Sequence, residues 1–396
     1  MPPERLETQV AIVGAGPAGL TLAQLLAAHG VDAVVVERRD RGYLERRLRA
    51  GVLEQGTVDL LRAAGVGDRM AREGLVHHGV HLQFDGERHR IPLGGLTGGR
   101  AITVYGQHEV TKDLIAARLA GGTRLCFEAA DVAPLGLDTE RPRVRFRWEG
   151  AERELACDFV AGCDGSHGVC RRAVPDGALA TYERAYPFAW LGILAATPPS
   201  LHELIYAHHE RGFALHSMRS PTLTRLYVQC APDDTPDAWP DDRVWAELHA
   251  RLETRDGWTL GEGPVVEKSV TTMRSVVTEP MRWGRLFLAG DAAHVVPPTG
   301  AKGMNLAVAD VRVLAEALAS WYRSGRRDLL DAYSATCLRR VWRAEHFSWW
   351  MTSMLHRFPG DDPFQLRLQL AQLRYVCSST AAATSLAENY VGLEHV

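Results

Sequence analysis

Two rhythms of apolar and polar positions alternate along this chain. The stretch Thr8–Arg39, "TQVAIVGAGPAGLTLAQLLAAHGVDAVVVERR", opens on a short apolar run and breaks at glycines. It continues with apolar residues at helical spacing and closes on a second apolar run, which predicts strand, tight turn, helix, strand. A second stretch, "ACDFVAGCDGSHGVCRRA" from Ala156 to Ala173, predicts a strand ending in a glycine turn that carries Asp164. In a third, "RLFLAGD" predicts a strand that delivers Asp291 at its carboxyl end, and a helix begins near Gly303 to Asn305. Between them, "RGFALHSMRSPTLTRLYVQC" alternates as a hairpin with a turn around Ser220 to Thr224. The remainder, through "FSWWMTSMLHRFP", predicts helices rich in apolar aromatics, which are core or a dimer face.

The chain has 396 residues, which points to more than one packed unit. It is 46% hydrophobic and 23% charged with a formal net charge of -3, a balance that offers nothing to nucleic acid or an acidic membrane. No apolar run reaches membrane-spanning length, and the charged start "MPPERLETQV" does not resemble a signal peptide. The 7 cysteines are scattered without a CxxC pair, which argues against a disulfide framework or a zinc site and fits a reducing cytoplasm. Lys112, Lys268 and Lys302 are the only lysines, so Lys302, set in "GDAAHVVPPTGAKGMN", is a rare choice.

Gly14, Gly16 and Gly19 have GxGxxG spacing between a predicted strand and helix. The first permits the tight turn, the second lets backbone approach a pyrophosphate, and the third lets helix and strand pack closely. The helix start then offers free N–H groups and partial positive charge to phosphates. Glu37, ending the second strand, can accept the hydroxyls of an adenosine ribose. An acid at a strand's carboxyl end, such as Asp291, suits a sugar-like hydroxyl, and the helix start beyond it suits negative charge on a reduced ring.

In the hairpin, a turn centred on Thr222 would set Ser217 opposite Tyr227 and Arg219 opposite Arg225, all on one face. Opposed arginines repel, and an anion between them reverses that. Guanidinium, hydroxyl and phenol together make a carboxylate site, although arginines on an exposed sheet face are also common.

These motifs together resemble the class A flavoprotein aromatic hydroxylases. "RAGVLEQGTVDLLRAAGV", "TVYGQHEVT", "HELIYAHHERGFAL", "VPPTGAKGMNLA" and "ENYVGL" are similar to the branch that acts on 4-hydroxybenzoate. The resemblance implies an α/β fold: a Rossmann-like FAD-binding domain through about residue 180 and a mixed β-sheet substrate domain over 181–290. A flavin-contacting and helical region would run over 291–396, with a segment near 80–91 joining the substrate sheet. It implies bound FAD held by Gly14, Gly16, Gly19, Glu37, Arg47, Arg49, Gln107, Asp164, Arg225, Asp291, Lys302, Gly303, Met304 and Asn305. NADPH would bind transiently near Arg38, Tyr43, Arg49, His167 and Arg274, with NADH left open by Asp40 and Glu45. Ser217, Arg219 and Tyr227 would hold the substrate carboxylate, with Pro298 and Thr299 beside the ring. Tyr206, Tyr390 and His77 would carry the phenol proton to solvent. The implied reaction takes 4-hydroxybenzoate, O2 and NADPH to 3,4-dihydroxybenzoate in a cytoplasmic homodimer. His216 stands where a small residue is common, and Met304 where leucine is usual. Two rivals remain at this point: hydroxylation of another aromatic acid such as 3,4-dihydroxybenzoate, and a flavin redox sensor or carrier without turnover.

Overall fold

A computed structural model describes residues 4–49 and 51–392; residues 1–3 of the charged start lie outside the described residues. Two large sheets organise the chain. The first has six strands, in the order Arg282–Trp283, Leu286–Leu288, Phe159–Gly162, Val10–Val13, Ala33–Val36, Leu125–Cys126. Only the Arg282–Trp283 edge runs antiparallel. Its central strands are buried on both faces, which is why they read as unbroken apolar runs. The helix Pro17–Ala28 packs between this sheet and the helices Gly303–Ser324 and Gln107–Ala120.

The second sheet has eight strands, in the order His294–Val295, Val265–Glu279, Ala180–Ala195, Leu223–Cys230, Ala214–Ser220, Ile205–Ala207, Val80–Phe84, Glu87–Ile91. Val80–Phe84 joins it by parallel pairing with Ile205–Ala207. Period-two alternation divides its side chains between two cores. Trp190, Tyr206, Phe213, Leu215 and Tyr227 face a core closed by the helices Asp328–Leu355, Pro363–Ser378 and Thr380–Val391. Leu191, Ile205, Ala214, Leu226 and Val228 face the helix Asp241–Leu252.

The hairpin register differs from the one read off the sequence. Ser217 pairs with Arg225 and Leu215 with Tyr227, while Arg219 has no partner, because the ladder shifts between Met218 and Ser220. The turn is a tight one, Ser220 pairing with Leu223, and the extra residue is absorbed as a bulge at Arg219. Small three-stranded and four-stranded sheets complete the fold; the former carries His77 on the strand Leu75–His77. Among the described residues, no helix is long and apolar enough to cross a membrane.

Candidate active site

Four adjacent parallel strands end on the same edge of the six-stranded sheet. Their carboxyl ends present Asp291, Asp164, the glycine turn at Gly14 and Glu37 in neighbouring positions. Such an edge is where open α/β sheets bind ligands. Gly14 has φ 104°, and a Cβ there would collide with the Cys163 carbonyl. A Cβ on Gly19 would collide with the Gly14 carbonyl. Those two glycines are therefore required by the protein's own packing. Gly16 differs: nothing lies within 4 Å of a Cβ placed there. It starts the helix Pro17–Ala28 without a side-chain cap, so the first N–H groups of that helix face open space.

Glu37 is buried, and its carboxylate accepts from Ala15 N and Arg39 N, both at 2.7 Å. These bonds hold the glycine turn against the second strand and leave lone pairs for further donors. Asp164 accepts from Val169 N at 2.6 Å and Cys170 N at 2.8 Å, so it shapes its own turn; its second oxygen is buried without a partner. Asp291 lies near Arg47. Burial lowers the Arg47 pKa, Arg49 and Arg38 push the same way, and Tyr43 and Asp291 oppose them. Tyr43 lies between Arg39 and Arg47, whose guanidinium carbons are 4.8 and 5.6 Å from its ring centre. Gln107 begins its helix, His167 is exposed on the turn after Asp164, and Arg274 sits on Val265–Glu279 with Glu183 at 3.7 Å.

The turn Gly290–Val295 is clipped from below. Asp310 Oδ2 accepts from Gly290 N at 2.9 Å and lies 2.6 Å from His294 Nε2, with both side chains buried. Beyond it, Pro298–Gly300 forms a 3-10 turn and Ala301 takes the left-handed conformation, φ 53°. Two successive prolines leave carbonyls short of local N–H donors, yet the Pro298 carbonyl accepts from Ala301 N at 2.9 Å, because the left-handed residue turns that N–H back, and one lone pair remains free. Thr299 is fully buried, and its hydroxyl is 2.8 Å from that of Thr352. Gly303 opens the next helix onto nearly empty space, its nearest neighbour for a Cβ being Val296 at 3.9 Å, and Met304 packs on the core below.

Lys302 and Asn305 point away from that space. Lys302 Nζ donates to Glu54 at 2.5 Å, to Tyr390 O at 3.2 Å and to Asn389 O. Its charge is thus matched by Glu54 and caps the end of the last helix. The Asn305 amide donates to Val52 O at 2.9 Å and Ala301 O at 2.8 Å and accepts from Glu54 N. Side chains that sequence reasoning aimed at a ligand are consumed in joining the Val52–Glu54 segment to the helix start.

Tyr206 of the eight-stranded sheet and Tyr390 of the helix Thr380–Val391 share a hydrogen bond at 2.5 Å, both side chains buried. Burial raises the pKa of each, and the Tyr390 bond partly opposes that for Tyr206. Ser217 is buried on the Tyr227 side of the sheet. Despite the bulge, Arg219 reaches Tyr227; burial lowers its pKa, Tyr227 opposes this, and Arg225 adds to it. Arg225 is buried 5.2 Å from the Tyr227 ring centre, and its Nη1 is 3.6 Å from Glu267. His77 is buried with neither ring nitrogen bonded, and burial lowers its pKa to about 4. No hydrogen bond joins Tyr390 to His77 among the described residues.

Comparison with known proteins decides what kind of edge this is. The family described as "FAD binding domain" matches residues 7–348. The p-hydroxybenzoate hydroxylase of Acinetobacter baylyi is 50% identical over 99% of this chain and 97% of its own length. The chain belongs to the FAD-dependent aromatic hydroxylases. A 6-methylpretetramide 4-monooxygenase of Streptomyces rimosus is 30% identical over 85% of this chain and 60% of its own. In fold, the crystal structure of p-nitrophenol 4-monooxygenase from Pseudomonas putida superposes with a TM-score of 0.84 at 20% identity, covering 99% of this chain and all of that one.

The residues of this hydroxylase suit FAD. Open space faces Gly16 and Gly303, arginines crowd beside Asp291, and a bare helix start lies at the strand ends. Three contributors escaped the sequence reading. Glu54, the partner of Lys302, is 248 positions away from it. Asp310 had a local signal, an acid within the apolar helical run "LAVADVRVL". Glu345 had the same kind of signal, an acid in a helix flanked by apolar aromatics. It is buried, and burial raises its pKa to about 7 against the opposing pull of the Ser275 hydroxyl and of His294.

Proposed function

We propose that this hydroxylase converts 4-hydroxybenzoate, O2, NADPH and a proton to 3,4-dihydroxybenzoate, NADP+ and water. The observation that carries the reading is the buried Tyr206–Tyr390 hydroxyl pair, set in the same core as Tyr227. An aromatic ring with a carboxylate at one end and a phenol at the other needs two such polar ends across an apolar gap. FAD, when bound, supplies the acceptor for the NADPH hydride and the activated oxygen that enters the ring. Gly14, Gly16, Gly19, Glu37, Arg47, Arg49, Gln107, Asp164 and Asp291 would hold it, with the backbone at Gly303, Met304 and Asn305 at its ring.

Ser217, Arg219 and Tyr227 bind the carboxylate, a charge-assisted set in which the partly buried guanidinium gains an anion. Arg225 adds positive charge on the same side, which favours reduced flavin. Thr299 and the free lone pair of Pro298 O border the ring. Tyr206 bonds the phenol and Tyr390 bonds Tyr206. A phenol that titrates near ~10 in water loses its proton along that pair, and the phenolate is the more reactive ring. His77 takes the proton outward. Its pKa near 4 means it does not retain a proton at neutral pH.

NADPH is favoured over NADH by the use already made of the two nearby acids. Asp40 caps its helix by accepting from Tyr43 N at 2.7 Å, and Glu45 pairs with Arg41 at 2.6 Å. Arg38 and Arg49 have no carboxylate partner among the described residues and suit a 2′-phosphate. A homodimer is supported by the apolar stripe Phe364, Leu368, Ala371 and Tyr375 on one exposed face of Pro363–Ser378. Seven unpaired cysteines suit a reducing cytoplasm.

The test is NADPH consumption with and without 4-hydroxybenzoate, with product and peroxide quantified together. Stimulation with a matching yield of 3,4-dihydroxybenzoate is expected. Stimulation that yields mostly peroxide would assign the true substrate to another aromatic acid. Identical NADPH and NADH oxidation with and without the acid would overturn the reading.

A further inference from the structure

The last turn of the helix Asp328–Leu355 touches both walls of the proposed substrate site. On one side, the Thr352 hydroxyl lies 2.8 Å from that of Thr299 and 2.7 Å from Ser348 O. On the other, the His356 ring enters the eight-stranded sheet. Its Nδ1 is 3.0 Å from Thr352 O, and its Nε2 is 2.7 Å from the Trp190 indole nitrogen. A carbonyl only accepts and an indole N–H only donates. His356 is therefore the neutral tautomer with hydrogen on Nδ1, bonded at both nitrogens. Burial, the largest cause, lowers its pKa to about 3, in keeping with that geometry.

The bond makes Trp190 and His356 one nearly flat unit, their planes 9° apart. Phe213 stacks on both partners, at 4.3 Å from His356 and 5.0 Å from Trp190, and Phe188 stacks on His356 at 4.7 Å. Tyr227 packs on Trp190 with centroids 5.0 Å apart, and Tyr206 packs on Phe213 at 6.2 Å. His208, the other buried histidine here, meets the same helix end through Leu355 O at 3.2 Å. The carboxylate-end tyrosine and the phenol-end tyrosine thus rest on one aromatic plate, which His356 fastens to the helix end through Thr352 O.

We infer that His356 is a positioning residue for substrate: by accepting from Trp190 and donating to Thr352 it holds Tyr206 and Tyr227 in register with Thr299 across the ring. This rests on the substrate reading above, in which those three residues line the 4-hydroxybenzoate site. His356 touches none of the reacting atoms.

His356→Phe keeps a flat ring but leaves the buried Trp190 N–H without an acceptor. Its dissociation constant and KM for 4-hydroxybenzoate should rise roughly ten-fold, with a larger peroxide share of NADPH turnover. Maximal NADPH oxidation should stay within about two-fold, because FAD is bound elsewhere. His356→Gln, which restores an acceptor and a donor, should recover most of the affinity. Trp190→Phe combined with His356→Phe should bind no worse than His356→Phe alone, because the unpaired donor is gone. Near-ultraviolet circular dichroism of the substrate-free holoenzyme reads the aromatic plate independently. Its bands should weaken in His356→Phe and return in His356→Gln.

A His356→Phe protein with wild-type affinity, coupling and dichroism, and only a lower melting temperature, would overturn the inference. So would His356→Gln and His356→Phe behaving alike. Wild-type holoenzyme that fails to bind 4-hydroxybenzoate would sink the substrate reading instead. The dichroism of the two variants would still decide whether His356 orders the plate.

Discussion

Replacing Glu345 with glutamine should stabilise this hydroxylase at pH 8 and leave it unchanged at pH 4.5. The carboxyl is buried, and burial, only partly offset by the Ser275 hydroxyl and His294, moves its titration from an ordinary 4.5 to about 7. Between those values the unfolded chain releases a proton that the folded one keeps. Stability from this group therefore falls as pH rises through the window and is constant above it. At ~1.4 kcal/mol per pH unit the loss approaches roughly 3 kcal/mol, an upper bound because the local structure can relax. Glutamine mimics the protonated acid at every pH, so the variant's advantage should grow from nothing to that amount. The comparison must be between variant and wild type. His77 and His216 have pKa values lowered to about 4 by burial and act oppositely, since the unfolded chain binds protons they refuse below 6.5. Urea midpoints of the FAD-loaded proteins at pH 4.5, 6 and 8 would measure the difference. A gain for Glu345→Gln that is equal at all three values would show that Glu345 is already ionised when folded, and the argument would fail.

Gly14→Ala and Gly16→Ala should fail in different ways: the first by misfolding, since its φ is 104° and its Cβ meets backbone, the second by folding normally while losing FAD affinity. Circular dichroism alongside flavin-fluorescence titration separates them, and Gly16→Ala with unchanged FAD affinity would count against the phosphate cradle. Asp310→Ala should release the Gly290–His294 turn and weaken FAD binding about ten-fold, and Asp310→Asn should do less harm because an amide can still accept from Gly290 N. Equal FAD affinity in all three proteins would show that the clip does not orient Asp291. Tyr206→Phe should bind 4-hydroxybenzoate yet release peroxide in place of most product; normal product per NADPH would refute the proton relay. Leu368→Arg with Tyr375→Arg should yield monomers in sedimentation if the exposed stripe is the dimer face, and a monomeric wild type would refute it.

The parallel sheet and its ligand edge were legible because every feature is local. The glycine turn, Glu37, Asp164 and Asp291 each follow an apolar run within a few residues, and strand order then sets those runs side by side. The hairpin was legible in type but not in register. A bulge at Arg219 adds one residue to one strand, and alternation alone cannot place it. Tyr206 and Tyr390, 184 positions apart, could be paired only through a resemblance, since no periodicity connects a strand to a distant helix.

Lys302 shows the deeper reason for what could not be read. A cation in a glycine- and proline-rich turn beside a ligand edge invites the inference that its charge serves the ligand. Here a loop whose core-packed side chains are small, Ala292, Ala293 and Val296, relies also on buried hydrogen bonds to hold it. Lys302 ties the turn to Glu54 and the last helix, Asn305 ties it to Val52, and Asp310 ties Gly290 to His294. Each of these polar groups is satisfied by protein, so each leaves backbone, and not itself, facing the open space at Gly303. Polar residues in such a segment divide between those that meet the ligand and those that aim the chain. Their type does not separate them. The separating fact is whether a partner is waiting elsewhere in the fold, and that depends on the packing of segments as far as 253 positions away.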